Sequence, residues 1–151
     1  MSINFSINTI LFNSPEYEKM VDLRRKVLRI PLGLNFSAED LNKDIHSYLF
    51  ACFNDKKEII GCCVVDNYSK NTSFKLRQMA VDPLYQGKGI GRDLIEFVED
   101  YAKSKKINRI NLHARKIAVP FYQKLGYNIY GNEFMEVNIP HLKMEKIFNT
   151  D

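Results

Sequence analysis

At 151 residues, 45% apolar and 26% charged, the chain suits one globular domain with a sizeable core, spanning residues 1–151, and no second domain is expected. The net charge of +4 is modest, and the basic residues are scattered apart from Arg24-Arg25-Lys26-Arg29 and Lys103-Lys105-Lys106, which argues against a nucleic-acid partner. The longest apolar run, Ile59 to Val65, falls far short of the ~18 residues that cross a bilayer, and Met1-Ser2-Ile3-Asn4 lacks the basic start of a signal peptide, so a soluble, cytoplasmic protein without membrane association is expected.

Ile3, Phe5 and Ile7 alternate as in a strand. Asn13-Ser14-Pro15-Glu16 then supplies a cap, a first-turn proline and an early acid, which predicts a helix. Met20, Leu23 and Val27, with Tyr17, form its buried stripe, and Pro31 and Gly33 stop it. Arg24 and Arg25 on this helix offer cations to an acceptor carboxylate, or equally a solvated face. Ser37-x-x-Asp40 has the form of a capping box opening a short second helix with Leu41 and Ile45. Tyr48 to Phe53 and Glu58 to Asp66 read as strands joined by Asn54-Asp55-Lys56-Lys57, and Tyr68 to Thr72 is the next polar turn, so an antiparallel meander is expected. Cys52, Cys62 and Cys63 lie in these apolar runs without C-x-x-C or His-rich spacing, which points to buried, reduced thiols and to no metal site.

Leu76 to Tyr101 reads as strand, loop and helix. Asp82-Pro83 ends the strand, and Gly87, Gly89 and Gly91 crowd the turn into the helix. Ile90, Leu94, Phe97, Val98 and Tyr101 recur at helical spacing, while Arg92, Asp93, Glu96, Glu99 and Asp100 fall largely on other faces. Backbone N–H groups at a helix start hold an anion with several oxygens, glycine lets it approach closely, and Lys88 and Arg92 add positive charge suited to a diphosphate. A Rossmann fingerprint begun at Gly87 would need glycine where Arg92 stands, and the Gly-Lys-Ser/Thr ending of a P-loop is missing. Three glycines opening a helix reduce its stability by ~1 kcal/mol each, so a turn with no ligand is the weaker explanation.

After the helix, Arg109 to Ala114 is a strand that must run parallel to Leu76 to Val81. Ile110, Leu112 and Ala114 share one of its faces, Asn111 and His113 the other. Ala118 to Leu125 is a helix with Pro120 in its first turn and Gly126 as C-cap. Tyr127 to Tyr130 and Phe134 to Phe148, with a break at Pro140, close a mixed sheet of about seven strands accompanied by about four helices.

Gln86-Gly87-Lys88-Gly89-Ile90-Gly91 resembles the Q/R-x-x-G-x-G/A signature of the GNAT superfamily of acyl-CoA-dependent N-acetyltransferases. Ala118-Val119-Pro120-Phe121-Tyr122-Gln123-Lys124-Leu125-Gly126-Tyr127, within the longer run from Leu112, resembles its A-x-x-F-Y-x-x-L-G-F/Y signature. The order of elements is similar to the GNAT fold from end to end. Leu23 to Leu34, Arg77 to Val81 and Ile139-Pro140-His141 look like a bacterial ElaA-like branch. Arg115 stands where many GNAT enzymes have a cofactor-contacting asparagine, and that contact is not carried over.

The resemblance implies a single α/β GNAT-like domain in which two parallel central strands splay. Acetyl-CoA is the implied co-substrate, its diphosphate on Gln86, Gly87, Lys88, Gly89, Ile90, Gly91 and Arg92 and its pantetheine arm along Met79, Ala80 and Val81. The amides of that strand end are also suited to polarising a thioester carbonyl. Tyr122 corresponds to the family tyrosine near the CoA sulfur, a general acid whose phenol, with an ordinary pKa near ~10, is protonated at neutral pH; Phe121 is assigned to packing. An ammonium acceptor must lose a proton before it attacks, and His113, Glu136 and His141 are the candidate bases or acceptor contacts. No cysteine falls within the two motifs, so direct transfer to a primary amine, carried by a small molecule or a protein, is expected. A catalytically silent acyl-CoA-binding module is the alternative.

Overall fold

The computed structural model describes residues 4–68 and 72–148. Ile3 of the expected first strand and residues 69–71 of the expected turn lie outside the described residues. In chain order the elements are β1 (Phe5–Thr9), α1 (Pro15–Arg24), α2 (Ala38–Asn42), β2 (Tyr48–Asn54), β3 (Ile59–Tyr68), β4 (Ser73–Val81), α3 (Ile90–Ser104), β5 (Arg109–Arg115), α4 (Val119–Lys124), β6 (Asn128–Ile129), β7 (Phe134–Glu136) and β8 (Ile139–Ile147). The sheet runs β1-β2-β3-β4-β5-β8-β6, with β7 also paired to β8. β4 and β5 are parallel, whereas β2 pairs β1 and β3 antiparallel and β8 pairs β5, β6 and β7 antiparallel.

The expected mixed α/β fold is present, with eight strands among the described residues where about seven are expected. The last run divides at Val137-Asn138 and not at Pro140. Both turn residues have left-handed backbones, φ 44° and 63°, the conformation of a tight hairpin turn. Pro140 stands inside β8 one residue before His141, where pairing with β5 begins, so the ladder to β5 needs no N–H from it. Among the described residues no helix is long and apolar enough to cross a membrane.

The described residues of 1–66 and 78–98 form one compact unit, and those of 67–77 and 99–151 another. In the first, the Ser14 hydroxyl accepts the Tyr17 N–H at 3.1 Å and Pro15 occupies the first turn of α1. The helix continues through a π-helical turn, Arg25–Arg29, and a 3-10 turn, Ile30–Leu32, which Gly33 ends at φ 72°. Tyr17, Met20 and Leu23 pack with Leu49, Cys62 and Val64. The Ser37–Asp40 capping box is formed in both directions, and the Ser37 backbone N–H, followed by its hydroxyl, holds the Asp40 carboxyl below its ordinary range. Ile45 is exposed and outside the core. α3 lies close on β3 because Gly61 has no side chain: a Cβ there would stand 2.8 Å from Ile90 Cγ2.

In the second unit, Ile110, Leu112 and Ala114 of β5 are buried with Ile107, Tyr127 and Met144, as the alternation of β5 predicts. Glu99, although off the apolar stripe of α3, is buried. Its carboxylate accepts the Tyr127 hydroxyl at 2.9 Å and the Lys146 ammonium at 3.2 Å on both oxygens. A buried carboxylate needs such partners, and they come from residues far along the chain.

Candidate functional site

The glycine-rich loop begins where β4 ends. Asp82 donates its N–H to Ile60 O at 2.8 Å and its side chain accepts the Leu84 N–H at 2.9 Å, which fixes the turn at Pro83. The Gln86 side chain donates to Val81 O at 3.1 Å, tying the loop to the strand end, so this glutamine acts on the loop's shape. Gly87 and Gly89 have φ 79° and 85°, values that favour glycine. The first turn of α3 closes with Asp93 N–H to Gly89 O at 3.0 Å, so the amides of Ile90, Gly91 and Arg92 precede any acceptor within the helix. The side chain of Ile90 is buried, so its part in a loop site is played by its backbone. A Cβ on Gly89 would stand 2.8 Å from Arg92 Nη2, which places the guanidinium over the glycine. A cradle of amides with a cation beside it fits a diphosphate.

β4 and β5 pair in parallel over Phe74↔Ile110, Lys75↔Asn111 and Leu76↔Leu112. Gln78 has φ 56°, a left-handed backbone inside a strand, uncommon for a residue other than glycine. Met79, Ala80 and Val81, the expected pantetheine edge, follow it. The Gln78 side chain accepts the Arg24 Nε–H at 3.4 Å.

Arg24 is itself buried, 1% exposed, against an Asp44 that is 0% exposed. Its Nη1 donates to Asp44 Oδ2 at 2.8 Å and the Tyr17 hydroxyl donates to the same oxygen at 2.6 Å. Burial, then the hydrogen bond to Asp44, pushes the Tyr17 phenol above its ordinary range. Arg24 is thus committed to Asp44, which corrects the reading of it as an acceptor contact or a solvated residue. Arg25 bonds Asn35 at 2.8 Å and Asp22 at 3.0 Å near the surface.

In the second unit, three residues singled out as candidate bases come together. The β5 to β8 register sets Arg115 opposite His141 and His113 opposite Lys143, while β7 sets Phe134 opposite His141; period-2 alternation then brings Glu136 to the same face as Phe134. His113 Nδ1 lies 3.0 Å from Glu136 Oε1, and His141 Nε2 lies 3.6 Å from Glu136 Oε2. His141 Nδ1 is 2.9 Å from Ile139 O. The Phe134 ring meets His113 edge-on with centroids 4.9 Å apart and is tilted against His141 at 6.0 Å. His141 is buried, His113 is partly covered, and the Glu136 side chain is 45% exposed. Tyr122 on α4 is buried between the edges of Phe121, at 5.0 Å, and Tyr127, at 6.0 Å.

Cys52, Cys62 and Cys63 are free and buried. Burial pushes the Cys52 thiol up to about 11 and the Cys62 thiol up to about 12, and raises Cys63 as well. Among the described residues, no three His, Cys, Asp or Glu side chains gather as metal ligands would.

Residues 33–148 match the family described as the acetyltransferase (GNAT) domain. The chain belongs to the GNAT acetyltransferase family. It is 39% identical over 72 residues to the uncharacterized protein YyaT of Bacillus subtilis, an alignment covering 48% of this chain and 49% of that protein. The chain spans about half the length of the curated relatives it matches. In fold it is similar to an aminoglycoside 6'-N-acetyltransferase complexed with coenzyme A, TM-score 0.79 and 20% identity over 94% of this chain and 96% of that one. It is also similar to a GNAT family acetyltransferase from Elizabethkingia anophelis with acetyl-CoA bound, TM-score 0.73 and 21% identity over 96% and 99%.

Within this GNAT chain, sequence reasoning missed the left-handed backbone of Gln78 inside β4 and the pairing of Arg24 with Asp44, from which Arg24 also reaches the Gln78 side chain. A signal for the pair existed only as an arginine and an aspartate on neighbouring helical segments, which many solvated faces also show.

Proposed function

We propose that the chain, residues 1–151 as one domain, is a cytoplasmic N-acetyltransferase that moves an acetyl group from acetyl-CoA to a primary amine by direct attack. Within the GNAT family, we assign it to the ElaA-like branch. The observation that carries the reading is the left-handed Gly87–Gly89 loop, which delivers the amides of Ile90, Gly91 and Arg92 to one end of α3. Those amides, with Lys88 and Arg92, hold the diphosphate, and the backbone of Met79, Ala80 and Val81 takes the pantetheine arm as an added strand.

Bound acetyl-CoA supplies the acetyl thioester, whose C–S bond is replaced by a C–N bond to the acceptor. The chain's own part is to orient the reactants and to move protons. A base among His113, Glu136 and His141 removes one proton from the acceptor's ammonium, which frees the lone pair for attack. The Tyr122 hydroxyl gives its proton to the departing sulfur, and the second nitrogen proton restores the phenol. One proton per turnover leaves to water. Direct transfer is supported by the three thiols, all buried and raised away from the thiolate form, since a thiolate is the nucleophilic form of cysteine. The acceptor is a small-molecule or protein amine.

The test is at the loop. Gly89→Glu adds a side chain at φ 85° and a negative charge where the diphosphate must sit, so CoA binding measured by calorimetry is expected to vanish in a protein that remains folded by circular dichroism. Lys88→Ala is expected only to weaken it. Parent affinity in folded Gly89→Glu would remove the loop from the site.

A further inference from the structure

A carbonyl or carboxylate oxygen only accepts hydrogen bonds, and this decides where the ring hydrogens of the two site histidines lie. At His113 the nitrogen facing Glu136 Oε1 at 3.0 Å is Nδ1. At His141 the nitrogen facing Ile139 O at 2.9 Å is again Nδ1. Each Nδ1 must therefore carry a hydrogen, and a neutral ring then keeps its lone pair on Nε2. The consequences differ. Nε2 of His141 points back at Glu136 Oε2 at 3.6 Å, an ion-pair contact when that ring is protonated, and the ring is 4% exposed. His141 is thus bonded at Nδ1 and enclosed. His113 has one nitrogen engaged, and its side chain is 23% exposed.

Glu136 Oε1 accepts from His113 Nδ1–H, and its Oε2 lies 3.6 Å from His141 Nε2. Its own place is set by the Val137-Asn138 turn, which brings Glu136 opposite Ile139 in the β7 to β8 hairpin. Phe134, packed on both rings, holds them at their present angles. A base needs a free lone pair and a defined direction; with Nδ1 tied to Glu136 and its side chain partly exposed, His113 offers both at Nε2, whereas His141 is enclosed. Glu136 has Oε1 taken up by the His113 Nδ1–H.

We infer that His113 is the general base, taking the acceptor's proton at Nε2, and that Glu136 is a positioning residue that holds His113 in the Nδ1–H form. The base role rests on the acetyltransferase reading; the tautomer assignment does not. In the step itself, His113 Nε2 binds one proton from the ammonium, the freed nitrogen lone pair forms the C–N bond, and the imidazolium later returns that proton to water.

The experiment combines long-range proton–nitrogen NMR of the imidazoles with steady-state kinetics. Spectra are taken on the whole chain at a pH where the rings are neutral, and the signals of His46, His113 and His141 are assigned by single substitutions. The parent is expected to show His113 as Nδ1–H. Glu136→Ala is expected to return it to Nε2–H and to lower kcat with little change in KM for acetyl-CoA, because the second nitrogen's bond sets the tautomer. His113→Gln is expected to lose ~100-fold or more in kcat. An Nε2–H ring at His113 in the parent, or an unmoved tautomer in Glu136→Ala, overturns the positioning role. Parent kcat in His113→Gln overturns the base role. A parent that binds CoA but releases no thiol with any amine defeats the acetyltransferase reading and the base role together, while the two spectra still decide the tautomer and the part Glu136 plays in it. If Glu136→Ala does not fold, Glu136→Leu serves: it leaves no acceptor for Nδ1 and gives the same switch, and retention of the parent tautomer together with parent kcat counts against the proposal.

Discussion

Asp44 and Glu136 each face partners from other segments of the chain, and the two carboxylates serve different ends. Asp44 is 0% exposed and receives a guanidinium and a phenol on one oxygen, 2.8 and 2.6 Å away. Neither partner changes protonation near neutral pH: arginine stays charged in proteins, and the Tyr17 phenol is raised further by its burial. Glu136 is 45% exposed, and its partners are imidazoles, the side chains whose charge changes most readily around neutrality. A carboxylate closed in with permanent donors stiffens a fold, whereas one facing titratable rings sets where protons go. Each arrangement lies within its own compact unit, so each can be broken separately.

The largest effect is expected at the closed pair. Asp44→Ala leaves the Arg24 charge buried and unpaired, and a loss of about 3–5 kcal/mol is expected in denaturant unfolding. Arg24→Met combined with Asp44→Leu is expected to recover most of it, since an apolar pair of similar volume removes the burial cost of both charges. A loss under about 1 kcal/mol in Asp44→Ala, the range of exposed ion pairs, would mean that water reaches the arginine and that the contrast with Glu136 is false.

Two buried tyrosines sharpen the comparison. Tyr17→Phe deletes a bond to a charged group and is expected to cost about 1.5–3 kcal/mol of stability, with kcat nearly unchanged. Tyr122→Phe is expected to reverse the pattern, with stability and acetyl-CoA affinity close to the parent and kcat lower by ~100-fold. Unfolding curves and steady-state kinetics on both variants read the exchange. If Tyr122→Phe behaves like Tyr17→Phe, its ring serves packing alone.

What the sequence made readable and what it concealed divide on range. Features set by residues a few positions apart were plain: the Ser14 cap with Pro15, the Ser37–Asp40 box, the glycines before α3 and the alternation of β5. Hidden features depend on distant partners or on backbone that no residue type announces. Glu99 gave no sign of burial because its donors, Tyr127 and Lys146, are remote in the chain, and Arg24 looked available because Asp44 lies on a separate segment. Proline drew the last break to Pro140, while the turn is made by Val137 and Asn138, of which a β-branched valine is a poor signal for positive φ. Gln78 inside β4 is equally silent. At the candidate site, His113, Glu136 and His141 were nameable one by one; that a single carboxylate faces both rings needed the β5, β7 and β8 register.

The most direct measurement of the account is amine-dependent release of CoA thiol, paired with mass spectrometry of the acceptor, using purified protein, acetyl-CoA and polyamines, amino sugars, amino acids, antibiotics and protein amines as separate acceptors. The account predicts that at least one class gains an N-acetyl group in step with thiol release, and that Gly89→Glu abolishes both. CoA binding by the parent with no acetylated amine in any class would contradict it and leave a silent acyl-CoA-binding module.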